Sequence, residues 1–315
     1  MPVVRFLEWS AARGSLLLAV GVFGGVLVPP LAAAFNGVIA PCVVALMTLV
    51  LLRVDIAAAF AHLRRPVRLA AVVTFMLVAC PVITAGVVHL AGLEAGIAAG
   101  VVIFATGCAA TSSPAFARLV GLDAELSLLA TLAGTLLVPL TAPPIAFALM
   151  GVDLAISLPE FMVRLVVVVG LPLALSLAIR RILGEARLAP LGRAVDGATV
   201  WLVVIYGFGV MDGLTARMFS DPVWVAHALI AAFAVNLGLN AATAAAFWWW
   251  LGRHGALTTG LMSGNRNMAL YLAVLPAAAD PRVALFFALC QFPLFLSVFL
   301  LAPVYRRLVG PPDQG

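Results

Sequence analysis

The run LMSGNRNMALYLAVLP sets Arg266 between two asparagines, Asn265 and Asn267, in the middle of an apolar stretch. An arginine at the centre of a bilayer costs about 2.5–3.5 kcal/mol on insertion scales, so it is kept where protein or water offsets its charge. A guanidinium flanked by carboxamides has the chemistry of anion recognition. The structural alternative is an arginine paired with an acid such as Asp123 or Glu125, or one that snorkels toward the cytoplasm. A second polar run, GCAATSSP from Gly107 to Pro114, gathers the hydroxyls of Thr111, Ser112 and Ser113 in another apolar segment. Reaction chemistry has no comparable foothold. His62, His89, His227 and His254 lie near the ends of apolar segments, with no serine motif or metal-ligand pair beside them, so no catalytic or metal-binding residue is assigned and the chain is not expected to be an enzyme. Cys42, Cys80, Cys108 and Cys290 are widely spaced in apolar segments without a CxxC pattern and read as small core hydrophobes.

The elements that position these residues must be membrane helices. The chain is 64% hydrophobic and 10% charged, with mean hydropathy +1.18, which a water-soluble domain of 315 residues would not tolerate on its surface. All eighteen basic residues are arginine, so the positive balance belongs to loops and not to a nucleic-acid-binding arm. Proline lacks an N–H and clashes with the carbonyl one turn back, so the helix should unwind ahead of Pro114 and restart with that residue in its first turn. The other unwound stretch is predicted at Ser263 to Asn267. Such backbone is tolerated at membrane depth only where protein or a wet cavity surrounds it. Each restarted half-helix would aim free N–H groups at its break, which suits an anion.

Apolar segments of about 20 residues or more fall near 14–33, 37–56, 67–90, 94–116, 124–150, 159–179, 195–214, 223–250, 256–278 and 282–304, which makes ten spans. The N-terminal run faintly imitates a cleavable signal, but its length and Pro29-Pro30 favour a retained first span. With a cytoplasmic N-terminus, fourteen arginines, Arg64 and Arg65 among them, fall inside; Arg164, Arg217 and Arg282 fall outside, and Arg266 lies within a span. That split follows the positive-inside rule and puts both termini in the cytoplasm. The segments also repeat in order: a Pro-led span, a span interrupted by small polar residues, then an acidic lead into a long span closing on Ala-Pro. Five spans per repeat is odd, so the repeats, near 14–150 and 159–307, must lie in opposite topology within a single transmembrane domain, 1–315. Inverted repeats with interrupted helices in corresponding positions point to a secondary transporter with a midplane site.

This arrangement resembles the bile acid:sodium symporter family, whose fourth and ninth helices are broken and cross. The resemblance runs over nearly the whole chain and is most specific from the fourth-span break through FARLVGLDAELSLLATLAGTLLVPLTAP, together with SGNRN in the ninth span. It implies an all-α membrane protein of ten transmembrane helices in two inverted five-helix repeats, with a panel domain and a core domain that contains the crossed helices. Thr111 and Asn267 match positions close to the family's substrate cavity, and Ser112, Asn265 and Arg266 beside them complete the expected substrate-binding set. Ser113, Ser127 and Thr131 match positions that ligate a first sodium ion; Ser127 and Thr131, four apart, share one helix face. The ordinary alternative for each hydroxyl is a bond to its own backbone or packing against a neighbour.

Departures from the family pattern are concentrated at the second sodium position. Met262 stands where the family has a shared glutamate, Arg266 where it has a glutamine, Met76 where it has a third-span glutamine, and Pro114 where it has an asparagine. A glutamate with two sodium ions sums to one positive charge, and so do Met262 and Arg266 without sodium. Arg266 is therefore expected to stand in for bound sodium. The resulting expectation is an inner (plasma) membrane secondary transporter of a small organic anion, with no cofactor other than sodium as an uncertain coupling ion and no nucleic-acid partner. A sodium-independent or proton-coupled exporter of the same fold and a non-transporting anion sensor remain as alternatives.

Overall fold

The computed structural model describes residues 2–54, 66–150, 156–276 and 279–309. Helix is the only regular element among them, apart from one isolated two-residue bridge. That outcome follows from solvent: hydrocarbon offers backbone groups no partner, and a helix satisfies them within the segment. Among the described residues six helices are long and apolar enough to cross a membrane, or up to seven if a bent pair counts as one span. The chain is a multi-pass helical membrane protein.

The helices are α1 Pro2–Ala12, α2 Gly14–Leu27, α3 Pro29–Asn36, α4 Ile39–Leu52, α5 Pro66–Ala91, α6 Ala95–Thr106, α7 Ser113–Leu119, α8 Ala124–Met150, α9 Leu158–Leu183, α10 Gly192–Val210, α11 Leu214–Ser220, α12 Pro222–Gly264, α13 Met268–Val274 and α14 Pro281–Val309. Among the described residues these lengths do not by themselves give the expected ten spans, the fourth and ninth of them interrupted. The expected first span, 14–33, ends instead at Leu27, because Val28 precedes a proline and takes a non-helical conformation (φ −126°, ψ 72°). Pro29 then opens α3, which is bent by 73° from α4. The expected eighth span and the first part of the ninth, as far as Gly264, run together in α12 except at Gly252, whose φ of +69° turns the chain at a position only glycine takes readily. Arg64, Arg65 and the ends of the expected second and ninth spans lie outside the described residues.

The helices form two compact units. The first comprises residues 1–62, 163–222 and 269–275 and is organised around α10, which packs against α1, α2, α3 and α4. Contact there is close: a methyl on Gly197 would overlap the carbonyl of Leu7. Arg53 pairs with Asp196, and Trp201 donates to Ser10 Oγ. The second unit comprises 63–162, 223–268 and 276–315, and in it α6 packs against α5, α8 and α14. Gly100 of α6 admits the ring of Phe286 of α14 at a distance no side chain would allow. Both polar breaks belong to this second unit.

Candidate functional site

The fourth-span break runs from Gly107 to Ser112, and α7 restarts at Ser113 with Pro114 in its first turn, as the proline dictates. The ninth-span break is shorter than expected. Ser263 and Gly264 remain helical, Asn265 N still donating to Leu261 O, and only Asn265, Arg266 and Asn267 are unwound. These two breaks lie antiparallel and pair. Ala110 N donates to Asn265 O (2.8 Å), Asn267 N donates to Cys108 O (2.9 Å), and Ala109 bridges Arg266. Backbone groups freed by unwinding one helix are thus satisfied by the other, which lets both breaks persist away from water.

Arg266 is 1% exposed. Its Nε donates to Ser263 O (2.8 Å), and its Nη1 donates to Gly107 O (2.6 Å) and Met76 O (3.1 Å). No carboxylate among the described residues pairs with it, so the expected alternatives of an Asp123 or Glu125 partner, or of snorkelling, do not describe it. Hydrogen bonds to a charged group contribute about 1.5–3 kcal/mol each, so two or three match or exceed the insertion cost of the arginine. Nη2 is buried and has no partner among the described residues. The Met76 carbonyl comes from a π-helical turn, Phe75–Ala79, in α5. Pro81 explains the turn: it removes the donor that Leu77 O would use and crowds that carbonyl, so the helix widens just before it. Met76 and Arg266, two of the departures at the second sodium position, are therefore in direct contact, and Met262 is fully buried one turn before Arg266.

On the opposite side of the unwound strand, Asn265 turns toward α12 and α14. Asn236 Nδ2 donates to Gly264 O (2.6 Å) and to Asn265 Oδ1 (2.9 Å), and Ser297 Oγ donates to the same Oδ1 (3.4 Å). With its oxygen held by two donors, the Asn265 carboxamide presents its Nδ2, which is buried without a partner among the described residues. Gly264 makes this possible: a methyl there would sit 2.5 Å from Asn236 O. The sequence reading missed Asn236, although two carboxamides four residues apart in an apolar span, Asn236 and Asn240, were the available signal.

Asn267 is 8% exposed, and Thr111 and Ser112 are half-buried in the turn before α7. The pairing register puts Asn267 opposite Cys108, whereas Thr111 continues past Ala110, so the two occupy opposite ends of the paired segment. Ser113, Ser127 and Thr131 are fully or almost fully buried, and the hydroxyl of each lacks a hydrogen-bond partner among the described residues. This excludes the backbone-bonded alternative for all three. Thr135, one turn beyond Thr131, donates to Thr131 O (2.7 Å) and reaches Cys108 Sγ (3.6 Å), so this face of α8 abuts the fourth-span break.

One carboxylate with a shifted titration lies away from the breaks. Partial burial pushes the Glu94 carboxyl up, but hydrogen bonds from Trp224 and the N–H groups of Gly96 and Ile97, with the charge of Arg282, hold it below its ordinary value.

Apolar helices, two of them broken and paired at a buried arginine, define a polytopic membrane protein with a buried polar pairing. The model of the Sodium Bile acid symporter family matches residues 40–211, and the chain belongs to that family, whose members are transporters. The match covers the fourth-span break; the Arg266 break lies beyond it. No curated protein matches the chain.

Proposed function

We propose that the protein is a secondary transporter of a small organic anion, working by alternating access around the paired breaks, in the inner (plasma) membrane with both termini cytoplasmic. The observation that carries this reading is Arg266: a fully buried positive charge at the meeting point of two unwound helices, with no carboxylate partner and no partner for Nη2 among the described residues. An anionic group meets there a charge-assisted donor in a site of low dielectric. Thr111, Ser112, Asn265 and Asn267 supply the remaining contacts to the substrate.

In this reading ten segments cross the membrane as two inverted repeats, four of them short or broken. A nearly constant sequence offset supports it: Pro66 and Pro222 open α5 and α12, Ala124 and Pro281 open α8 and α14, and the bridged pair Ala109 and Arg266 keeps the same spacing. Each compact unit also draws pieces from both halves of the chain.

Sodium fits one family position and not the other. Ser113, Ser127 and Thr131 offer buried, unpartnered neutral oxygens of the kind an alkali cation takes, and a remnant of sodium coupling rests on them. At the second position the guanidinium already occupies the carbonyls of Met76, Gly107 and Ser263, and no carboxylate among the described residues stands there to hold a cation. Arg266 therefore supplies as fixed charge what a bound ion supplies elsewhere, and uniport or exchange is favoured over sodium symport. Counterflow in proteoliposomes tests the reading: an anion that stabilises the purified protein should exchange across the vesicle membrane. Binding without counterflow would make the protein a sensor.

A further inference from the structure

Within the second unit, α12 and the C-terminal part of α14 line an open groove of about 640 Å³ that no part of either break lines. Its walls are apolar, from Leu237, Ala244, Ala245, Leu257, Leu301 and Leu308, and Trp248 and Trp249 stand at its edge, Trp249 93% exposed. Two polar side chains, both more than nine-tenths buried, also line it. Asn240 Nδ2 donates to the Tyr305 hydroxyl oxygen (2.6 Å), which leaves the Tyr305 O–H proton without an acceptor among the described residues. At the same end of these helices stand the exposed Arg253, Arg306 and Arg307, Arg253 tied to α14 through Leu308 O (3.4 Å). None of the three pairs with a carboxylate among the described residues. No acid occurs between Asp221 and Asp280 or from Pro281 to Val309, so neither lining helix carries a negative charge along its length.

A pure acyl chain would fill the walls but leave the arginines and the Tyr305 proton without partners, and a free phosphate would leave the apolar walls without a partner. Tryptophans at the edge, arginines beyond them and a buried donor below match the three levels of a phospholipid: interface, phosphate and ester. We propose that this groove binds an anionic phospholipid, with an acyl chain along Leu237 and Leu301, an ester carbonyl accepting from Tyr305, and the phosphate against Arg253, Arg306 and Arg307.

The test titrates delipidated full-length protein in detergent with phosphatidylglycerol, phosphatidylcholine of the same chains, or glycerol phosphate, reading bound lipid by native mass spectrometry and stability by thermal unfolding. Phosphatidylglycerol should bind at least about tenfold tighter than phosphatidylcholine, since one or more surface arginines distinguish them. The exposed pair Arg306→Gln/Arg307→Gln should reduce phosphatidylglycerol binding by about thirtyfold with unfolding otherwise unchanged. Tyr305→Phe, which keeps the ring, should weaken both lipids by about fivefold. Ala245→Trp, which directs bulk into the groove from an exposed position, should abolish retention of both. Equal affinity for the two lipids, an equal effect of glycerol phosphate, undiminished binding to Tyr305→Phe, or retention of the lipid preference in Ala245→Trp would each overturn the proposal.

Discussion

Asn236 offers the sharpest test of how the ninth-span break is held. Replacing it by leucine keeps the volume and deletes the donor to both Gly264 O (2.6 Å) and Asn265 Oδ1 (2.9 Å). Each bond contributes about 1 kcal/mol net, and each buried acceptor left without its donor costs about 1–3 kcal/mol. Ser297 still reaches Asn265 Oδ1 at 3.4 Å, so the larger part of the loss falls on Gly264 O. The sum is about 2–5 kcal/mol, enough to lower the unfolding midpoint of the purified protein by several degrees. Because Asn236 also orients the Asn265 carboxamide, Asn236→Leu should weaken anion binding, and the pair Asn236→Leu/Asn265→Ala should fall short of additivity by about 0.5–3 kcal/mol. A leucine variant that melts with the parent, or a double mutant whose effects simply add, would refute the claim that α12 positions the break through this side chain.

Gly264→Ala places a methyl 2.5 Å from the Asn236 backbone oxygen, and the shift this forces should cost about 1–3 kcal/mol in thermal unfolding and impair anion binding. Glu94 makes a pH-dependent contribution: its carboxyl is held below the unfolded value, so the stability it adds is present above that value and is lost as pH falls through the lower, folded one; Glu94→Gln should flatten the acid limb of a stability-versus-pH curve measured near pH 4. Reporters fused at residue 315 should be active when the reporter works in the cytoplasm and silent when it works in the periplasm; the reverse would sink the topology.

Both breaks were legible in the sequence because their causes are local. Pro114 fixes where α7 restarts, and polar residues in an apolar span have few other uses. Where the ninth-span helix stops was less legible: Ser263 and Gly264 look like breakers but stay helical, since Gly264 packs on Asn236, twenty-eight residues earlier. The partners of Arg266 were also out of reach. Its three acceptors are backbone carbonyls, which carry no side-chain signature, and one of them depends on a π turn whose sole sequence cue is Pro81. In the first spans Pro29-Pro30 was read as an interruption inside one helix, whereas the residue before a proline disfavours helix strongly enough to end α2.

The most direct measurement is anion affinity of the purified protein with sodium replaced by a large inert cation at constant ionic strength, which keeps screening fixed. If Arg266 supplies the positive charge of the site, affinity should be nearly indifferent to the exchange, and Arg266→Gln should weaken binding by about 1.5–3 kcal/mol. Arg266→Gln combined with Met262→Glu should restore sodium dependence through the hydroxyls of Ser127 and Thr131. A strong sodium requirement in the unmodified protein would contradict the account and leave Arg266 a structural clamp on the carbonyls of Met76, Gly107 and Ser263.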